Sequence, residues 1–384
     1  MAALPIPTLT QLQHSDALKA LIREKIHQSG GWIPFTEFMH MALYTPALGY
    51  YSGGAQKFGL AGDFVTAPEI SPLFAQTIAR QAAQILATSR GDILELGAGT
   101  GKLAADLLLE LQTLEALPKQ YFILEVSDHL RHIQRENCRN VLQNDLFEKI
   151  SWLETLPEKF NGFILGNEVL DAIPVHIVHK TADGWCERGV SFNSEFIWQD
   201  APITASSLAS SQSQYLSDLP QGFVTEVCPA AAGLVRSLAE TLERGAILFI
   251  DYGFSANEYY HPQRNQGTLM CHFQHHAHDN PLIHVGLQDI TAHVDFTQLA
   301  LAGEAHGISL AGYATHAQFL MNCGILDVMA QHSPDSPQFM QLAAAAQKYL
   351  SPAEMGDLFK VIAFTKRLDE PLIGFRQGDK SHTL

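Results

Sequence analysis

An α/β fold with a mainly parallel sheet covered on both faces is what this 384-residue sequence predicts. Three observations carry that expectation. From residue 92 onward, short apolar strand runs alternate with helical runs, the pattern of parallel strands joined by crossover helices. A glycine-rich turn, Gly97-Ala98-Gly99-Thr100-Gly101, follows the first of those strands and opens a helix. Apolar residues make up 46% of the chain, enough to fill a sizeable core. The length allows two compact domains, or one of about 250 residues with large insertions.

Taken in order, Leu18, Leu21, Ile22 and Ile26 follow helical spacing. Residues 32–72 read as a loop-rich stretch, punctuated by Pro46, Gly49, Gly53-Gly54, Gly59 and Gly62. Leu73 to Ala87 resume a helical pattern. Asp92 to Leu96 is the first strand, Lys102 to Leu111 a helix, Tyr121 to Val126 the second strand and Asp128 to Cys138 the next helix. A short third strand is expected to end near Asp145. Gly162 to Gly166 is the fourth, and Ala246 to Asp251 the fifth, after a helix over Ala230 to Leu242. Two insertions break the rhythm. In the first, Val175–Lys180 and Trp185–Phe192 flank Ala182-Asp183-Gly184, a hairpin signal, ahead of a Ser-rich loop from Ser206 to Ser217. The second, Tyr259 to Asp295, holds a cluster of histidines. A helix over 296–306, a strand over 308–313, helices over 316–350 and a closing strand over 360–365 complete the chain.

Composition excludes several classes. Lys plus Arg number 24 and Asp plus Glu 40, a net charge of −16 that repels phosphate backbones and argues against broad nucleic-acid binding. The five cysteines, Cys138, Cys186, Cys228, Cys271 and Cys323, are odd in number and show no CxxC spacing. That disfavours a disulfide scaffold or a thiolate zinc site and predicts a reducing, cytoplasmic setting. Neither a signal peptide nor an apolar run of membrane-spanning length is seen.

The glycine turn sits where open α/β sheets bind ligands, at the carboxyl end of the first strand. A dinucleotide site calls for GxGxxG, and here the third glycine arrives one residue early. Glu95 lies two residues before Gly97, where a carboxylate repels a pyrophosphate and attracts an ammonium group. That suits S-adenosylmethionine, which carries an ammonium and a positive sulfonium. A plain helix-entry turn is the competing reading. Glu125 ends the second strand, where a carboxylate can accept both ribose hydroxyls. Asp145-Leu146 is placed after the third strand, where Asp can take an adenine amino group while Leu packs on the ring. Each alone also reads as an ordinary strand-end acid or helix cap. In this order after the glycine turn they form a consistent set.

Longer motifs narrow the reading. They are Leu48-Gly49-Tyr50-Tyr51, Gly62-Asp63-Phe64-Val65-Thr66-Ala67-Pro68-Glu69-Ile70-Ser71, Glu95 to Gly101, and Gly166-Asn167-Glu168-Val169-Leu170-Asp171-Ala172-Ile173-Pro174-Val175. Ile250-Asp251-Tyr252-Gly253 and Asp289-Ile290-Thr291-Ala292-His293-Val294-Asp295-Phe296 follow. With these the chain resembles the MidA family of class I S-adenosylmethionine-dependent methyltransferases over nearly its whole length. The resemblance implies a Rossmann-like seven-stranded sheet over 91–384 with a helical N-terminal cap or lid over 1–90. Substrate-recognition insertions are then expected at about 175–228, 259–295 and 316–355. It also implies methyl transfer to arginine in a protein, with a subunit of respiratory NADH dehydrogenase as the expected partner and room for a homodimer. Methylation of a small molecule or another protein nitrogen, and a non-catalytic assembly chaperone, are the alternatives.

Methyl transfer from a sulfonium is an in-line displacement, so holding nucleophile and methyl close and aligned is the main task. A guanidinium acceptor is cationic, and carboxylates would anchor it and orient one nitrogen. Glu168 and Asp171 follow the fourth strand. On a helical turn their spacing of three puts both on one face, a pattern equally suited to a helix dipole. Glu226 is a weaker candidate on a strand. Thr66, Pro68 and Glu69 would cover the cofactor if the leader motif folds over it, or form a rigid turn. His272, His275, His276, His278 and Asp279 match no standard zinc spacing, so no metal is expected. The resemblance favours His276 and His293 for substrate contact or acid/base work. The expected cofactor set is thus Thr66, Pro68, Glu95, Gly97, Ala98, Gly99, Gly101, Glu125, Asp145, Leu146 and Asn167. The expected catalytic set is Glu168, Asp171 and His276.

Overall fold

A computed structural model describes residues 4–53, 66–203 and 213–384. The chain divides into two compact units, each assembled from three segments. One comprises Met1–Phe64, Asp171–Gly233 and Phe254–Gln298; the other comprises Val65–Leu170, Leu234–Gly253 and Leu299–Leu384.

The second unit holds the central sheet. Its strands are β1 (Asp92–Leu96), β2 (Tyr121–Leu124), β3 (Ile150–Leu153), β4 (Phe160–Asn167), β5 (Leu242–Phe254), β6 (Ser309–Thr315) and β7 (Phe359–Lys366). They run in the order β6-β7-β5-β4-β1-β2-β3. All neighbours are parallel except β7, which is antiparallel to both β5 and β6. Helices in its first half are α1 (Ala67–Ile70), α2 (Pro72–Ser89), α3 (Lys102–Thr113), α4 (Asp128–Val141) and α5 (Asn144–Phe147). Apolar runs such as Ile93, Ile123, Phe163, Leu165, Leu248 and Ile250 are buried in one core with residues of α2 and α3. Each such side chain contributes about 1.5–3 kcal/mol when fully buried.

Helix α2 starts where Ser71 Oγ accepts from Leu73 N at 3.2 Å and Pro72 takes the first turn. It buries Leu73, Phe74, Ile78, Ala82 and Ile85 in the sheet's core. The leader expected over 1–90 is therefore divided between the two units, with α2 belonging to the sheet.

The first unit has its own core of Leu18, Ile22, Ile26, Phe35, Phe38 and neighbours. Helix Leu9–Gln28 opens with a capping box between Thr8 and Gln11. The hairpin expected around Ala182-Asp183-Gly184 is present, pairing His176–Thr181 with Gly184–Asn193. Strands Trp32–Pro34, Glu195–Pro202 and Val224–Val227 extend it into a five-stranded antiparallel sheet. Met270–Phe273, His276–His278 and Asp289–Thr291 form a separate three-stranded sheet. Among the described residues no helix is long and apolar enough to cross a membrane.

Two local expectations are corrected. Residues 35–44, expected within a loop, form a helix whose Phe35, Phe38, Met39, Ala42 and Leu43 face inward at helical spacing. The third strand does not end at Asp145. That residue is exposed on α5, while Leu146 is buried beneath it, and β3 follows at Ile150–Leu153. The alternation at 150–153 pairs with Tyr121–Leu124 and wins over the shorter apolar signal before it.

Gly162 on β4 has φ +135°, and a Cβ there would lie 1.9 Å from the Asp92 carbonyl oxygen on β1. Gly162→Ala is expected to destabilise the chain by more than about 4 kcal/mol, beyond the common range for one substitution. Urea unfolding would read this as a large loss of midpoint with no folded baseline at moderate denaturant.

Candidate functional site

Sheet register gathers the sequence-predicted residues at one edge. Leu96 lies opposite both Leu124 on β2 and Gly166 on β4, and Leu124 lies opposite Leu153 on β3. Gly97 and Glu125 follow directly, and Asn167, the last residue of β4, stands at the same level. The chain passes to opposite sides of β1 here, the switch point at which such sheets take ligands.

The three glycines of the turn have positive φ, +61° for Gly97, +53° for Gly99 and +83° for Gly101, but serve different ends. A Cβ on Gly97 would meet Val169 Cγ2 at 3.2 Å, and one on Gly101 would meet Cys138 Sγ at 3.1 Å and Gln134 Cα at 3.2 Å. Those two let the turn pack on its own unit. A Cβ on Gly99 would meet nothing within 4 Å. Gly99 is the position at which a ligand can come against bare backbone. Ala98 is buried behind the turn.

Glu125 is 5% exposed. Its Oε1 accepts from Ser127 N at 2.9 Å and its Oε2 from Gln134 Nε2 at 3.0 Å. Burial pushes its carboxyl up, and these donors together with the Arg131 charge oppose the rise. Each oxygen retains acceptor capacity, as two ribose hydroxyls require. Val126 beside it is 74% exposed, an apolar surface at the strand end that the sequence reading did not pick out. An apolar residue directly after a strand-end acid was the available signal.

Glu95 is fully buried and does not stand at the open edge. Its Oε2 accepts from Tyr121 Oη at 2.8 Å. Burial raises its pKa to about 7, against the lowering by the tyrosine and with a further push from Glu125. Asp145 is likewise away from a strand end, on α5. The carboxyl end of β3 is Leu153, and sequence reasoning missed it by taking the earlier acid as the marker.

The leader motif meets the glycine turn directly. Thr66 precedes α1, Pro68 is buried in its first turn, and Glu69 Oε1 accepts from Thr100 Oγ1 at 2.5 Å. Tyr349 Oη lies 3.0 Å from Ala67 O and 3.2 Å from Ser71 O. The described half of the expected lid, 66–71, is thus anchored within the unit, and Gly62 to Val65 lie outside the described residues.

Beyond β4, residues 168–170 are not helical. Glu168 has φ +52°, a left-handed conformation disfavoured for a residue with a Cβ, so the expected helical face shared with Asp171 is absent. Hydrogen bonds to β5 and from Asn167 hold this turn. Glu168 N donates to Ile250 O at 2.9 Å, Leu170 N to Asp251 Oδ2 at 2.8 Å, and Asn167 Nδ2 to Glu168 Oε1 at 3.1 Å. Asn167 Oδ1 is buried with no hydrogen-bond partner among the described residues. A buried acceptor in this state suits a ligand donor such as an ammonium group.

Asp171 and His276 belong to the first unit. Asp171 is 5% exposed, its carbonyl accepts from Ala292 N at 3.0 Å, and its charge helps push the buried Tyr51 hydroxyl up. His276 opens a short hairpin strand, its Nδ1 hydrogen-bonded to Gln274 O at 2.8 Å. Glu226 is a structural clamp. It accepts from Thr268 N, Thr268 Oγ1 and Leu269 N within 3.3 Å. Two of the nearby histidines pack on rings: His284 stacks on Phe273 at 4.5 Å and His293 on Phe254 at 5.2 Å. Among the described residues no group of three His, Cys, Asp or Glu side chains is arranged to hold a metal.

Residues 74–314 match the profile of a family described as "Putative S-adenosyl-L-methionine-dependent methyltransferase". The mitochondrial protein arginine methyltransferase NDUFAF7 of Homo sapiens is 30% identical over 88% of this chain and 80% of its own length. The protein of the same name from Xenopus laevis is 28% identical over 91% and 85%. A crystal structure of a superfamily relative from Burkholderia thailandensis, bound to S-adenosyl-homocysteine, is 50% identical with TM-score 0.95 and covers 100% of both chains.

Two outcomes follow from the geometry. Gly99→Val adds a side chain where no protein atom stands, at a backbone cost of about 1–2 kcal/mol for the left-handed φ. The variant should fold and lose S-adenosylhomocysteine binding in calorimetry by at least tenfold. Glu95 gives a pH signature. Its proton is held more tightly folded than unfolded, so its contribution is complete below pH about 4.5, fades as pH rises and is gone above about 7. Relative to Glu95→Gln, wild-type stability should fall across that window by up to about 1.4 kcal/mol per pH unit, read from urea midpoints.

Proposed function

The chain belongs to the family of S-adenosyl-L-methionine-dependent methyltransferases, and from that premise we propose that it methylates arginine side chains of a protein. The cofactor, once bound, supplies a methyl group on a positive sulfonium. The chain's own residues do the rest: they hold the cofactor, orient the acceptor nitrogen and offset its charge.

We assign Gly99 to close backbone approach, Glu125 to the ribose hydroxyls and Asn167 Oδ1 to the ammonium group. Thr66, Pro68, Gly97, Ala98 and Gly101 shape the cradle. Glu95 supports it from beneath through Tyr121, and Leu146 packs below. Asp145, exposed on α5, keeps no role at the adenine in this proposal; the end of β3 takes that place.

The single observation that carries the acceptor side is Glu168. A non-glycine residue is held in a left-handed conformation at the end of β4 by bonds from its own backbone, from Leu170 and from Asn167. Such strain of order 1–3 kcal/mol persists where surrounding contacts over-determine it, and it clusters at functional positions. A carboxylate there can grip a guanidinium by charge-assisted hydrogen bonds and present one nitrogen in line. The guanidinium stays protonated throughout the physiological range, so its proton leaves with or after methyl transfer and not before it. Asp171 and His276 are proposed as acceptor-handling groups of the first unit. The bond from His276 Nδ1 to the Gln274 carbonyl requires a proton on Nδ1 and leaves Nε2 as the basic nitrogen.

The names of the mitochondrial relatives support the arginine reading, and the family resemblance puts a respiratory NADH dehydrogenase subunit first among candidate substrates. Five cysteines without a disulfide support a reducing compartment, which we take to be the cytoplasm.

Glu168→Gln keeps shape and removes charge. Losing a charge-assisted bond made in the transition state costs about 1.5–3 kcal/mol, or ten- to hundredfold in turnover. S-adenosylhomocysteine affinity should stay within a few-fold of wild type. The assay follows labelled methyl from S-adenosylmethionine into arginine of a lysate from cells lacking this protein, scored as methylarginine after hydrolysis. Undiminished transfer by the variant removes Glu168 from the reaction. Label recovered only on other residues or on small molecules overturns the arginine assignment.

A further inference from the structure

One buried glutamine joins three neighbouring parts of the cofactor edge. Gln134 lies on α4 and is 0% exposed. Its Nε2 donates to Glu125 Oε2 at 3.0 Å and to Gly99 O at 3.0 Å, and its Oε1 accepts from Trp152 Nε1 at 3.0 Å. An indole N–H only donates and a carbonyl oxygen only accepts, so chemistry alone fixes which way the amide faces. Turned over, its oxygen would confront a carboxylate and a carbonyl. Both amide protons are spent on the β1 turn and the β2 end, while the oxygen is tied to β3.

The same face of α4 is fitted to the glycine turn. Asn137, three residues on, donates from Nδ2 to Thr100 O at 3.0 Å. A Cβ on Gly101 would press on Gln134 itself. Trp152 is braced by Arg135 over its ring at 4.7 Å and by Phe147 at 6.2 Å. Gln134 thus has three polar partners and little freedom to choose others.

We propose that Gln134 is a positioning residue for the adenosyl part of the cofactor, aiming the Glu125 carboxylate and fixing the Gly99 carbonyl so that ribose contact and backbone cradle form as one. The proposal rests on the assignment of Glu125 to the ribose. Its physical content is specific. Glu125 is a buried acid that needs donors to stay ionised, and an ionised carboxylate accepts hydroxyl protons on both oxygens. The amide donates to it without adding charge. A carboxylate in the same place would contest the proton.

The test uses the full chain and calorimetric titration with S-adenosylhomocysteine. Gln134→Leu should weaken binding about tenfold or more, the order of one lost hydrogen bond to a charged group. In a Glu125→Gln background, Gln134→Leu should add no more than about threefold, because only its bond to the neutral Gly99 carbonyl is then left to lose. Gln134→Glu should give a pH signature that wild type lacks. Two facing carboxylates share a proton at low pH, so affinity should drop as pH rises from about 6 to 9. If Glu125→Gln binds as wild type does, the ribose assignment fails first. If it binds weakly while folded Gln134→Leu binds normally, or the two losses simply add, the role of Gln134 is overturned and Glu125 stands. Should Gln134→Leu fail to fold, a flat pH profile for Gln134→Glu overturns it instead.

Discussion

The alignment of β1 between β2 and β4 is the constraint on which the proposed cofactor edge depends. Leu96 faces Leu124 on one side and Gly166 on the other. One level therefore serves a glycine turn, an acid and an asparagine that lie up to 70 residues apart in the chain. A slip of one residue in a strand would turn its side chains to the opposite face. The apolar alternation that fills the core thus also sets where the polar groups emerge, and packing and ligand recognition cannot be adjusted independently.

Around that edge the same device recurs: a buried or partly buried polar side chain ties two motifs that are distant in sequence. Asp251 on β5 accepts from Leu170 N after β4. Glu69 receives Thr100, and Tyr349 reaches the carbonyls of Ala67 and Ser71. In the first unit Glu226 holds Thr268 and Leu269. Hydrogen bonds to charged groups contribute about 1.5–3 kcal/mol each, and leaving such a group without its partner costs more. Conspicuous short motifs in the chain are in several cases two halves of one such tie.

Strands and most helices were legible because their signals are local. The apolar runs at 92–96, 121–126 and 162–166 read as strands, and Ala182-Asp183-Gly184 as the turn of a hairpin. Errors arose where two local signals competed. The helix at 35–44 has clear helical spacing, but lies among glycines and prolines that suggest loop. Asp145-Leu146 resembled a strand end, while Ile150–Leu153, with its partner β2, made the better pairing. Glu168 and Asp171 have helical spacing, yet the backbone at Glu168 turns left-handed under bonds from β5 that no local pattern announces. Gln134 was invisible for a related reason. A glutamine on a polar helix reads as solvent-facing until the three partners around it are in place, and those lie on or just beyond three separate strands.

Strand order has a consequence for how the protein is made. β7 is the last strand of the sheet to leave the ribosome, yet it lies inside the sheet, between β5 and β6. Until Phe359–Lys366 emerges, residues 245–252 of β5 lack the neighbour they pair with, and β6 has no place in the sheet at all. A nascent chain stalled short of this point carries a long apolar edge with unpaired backbone groups, the feature most prone to join another chain. The cofactor edge, three strands away, can take shape earlier. Translation speed through the helices before β7 then sets how long that edge stays open, and chaperone demand should peak late in synthesis.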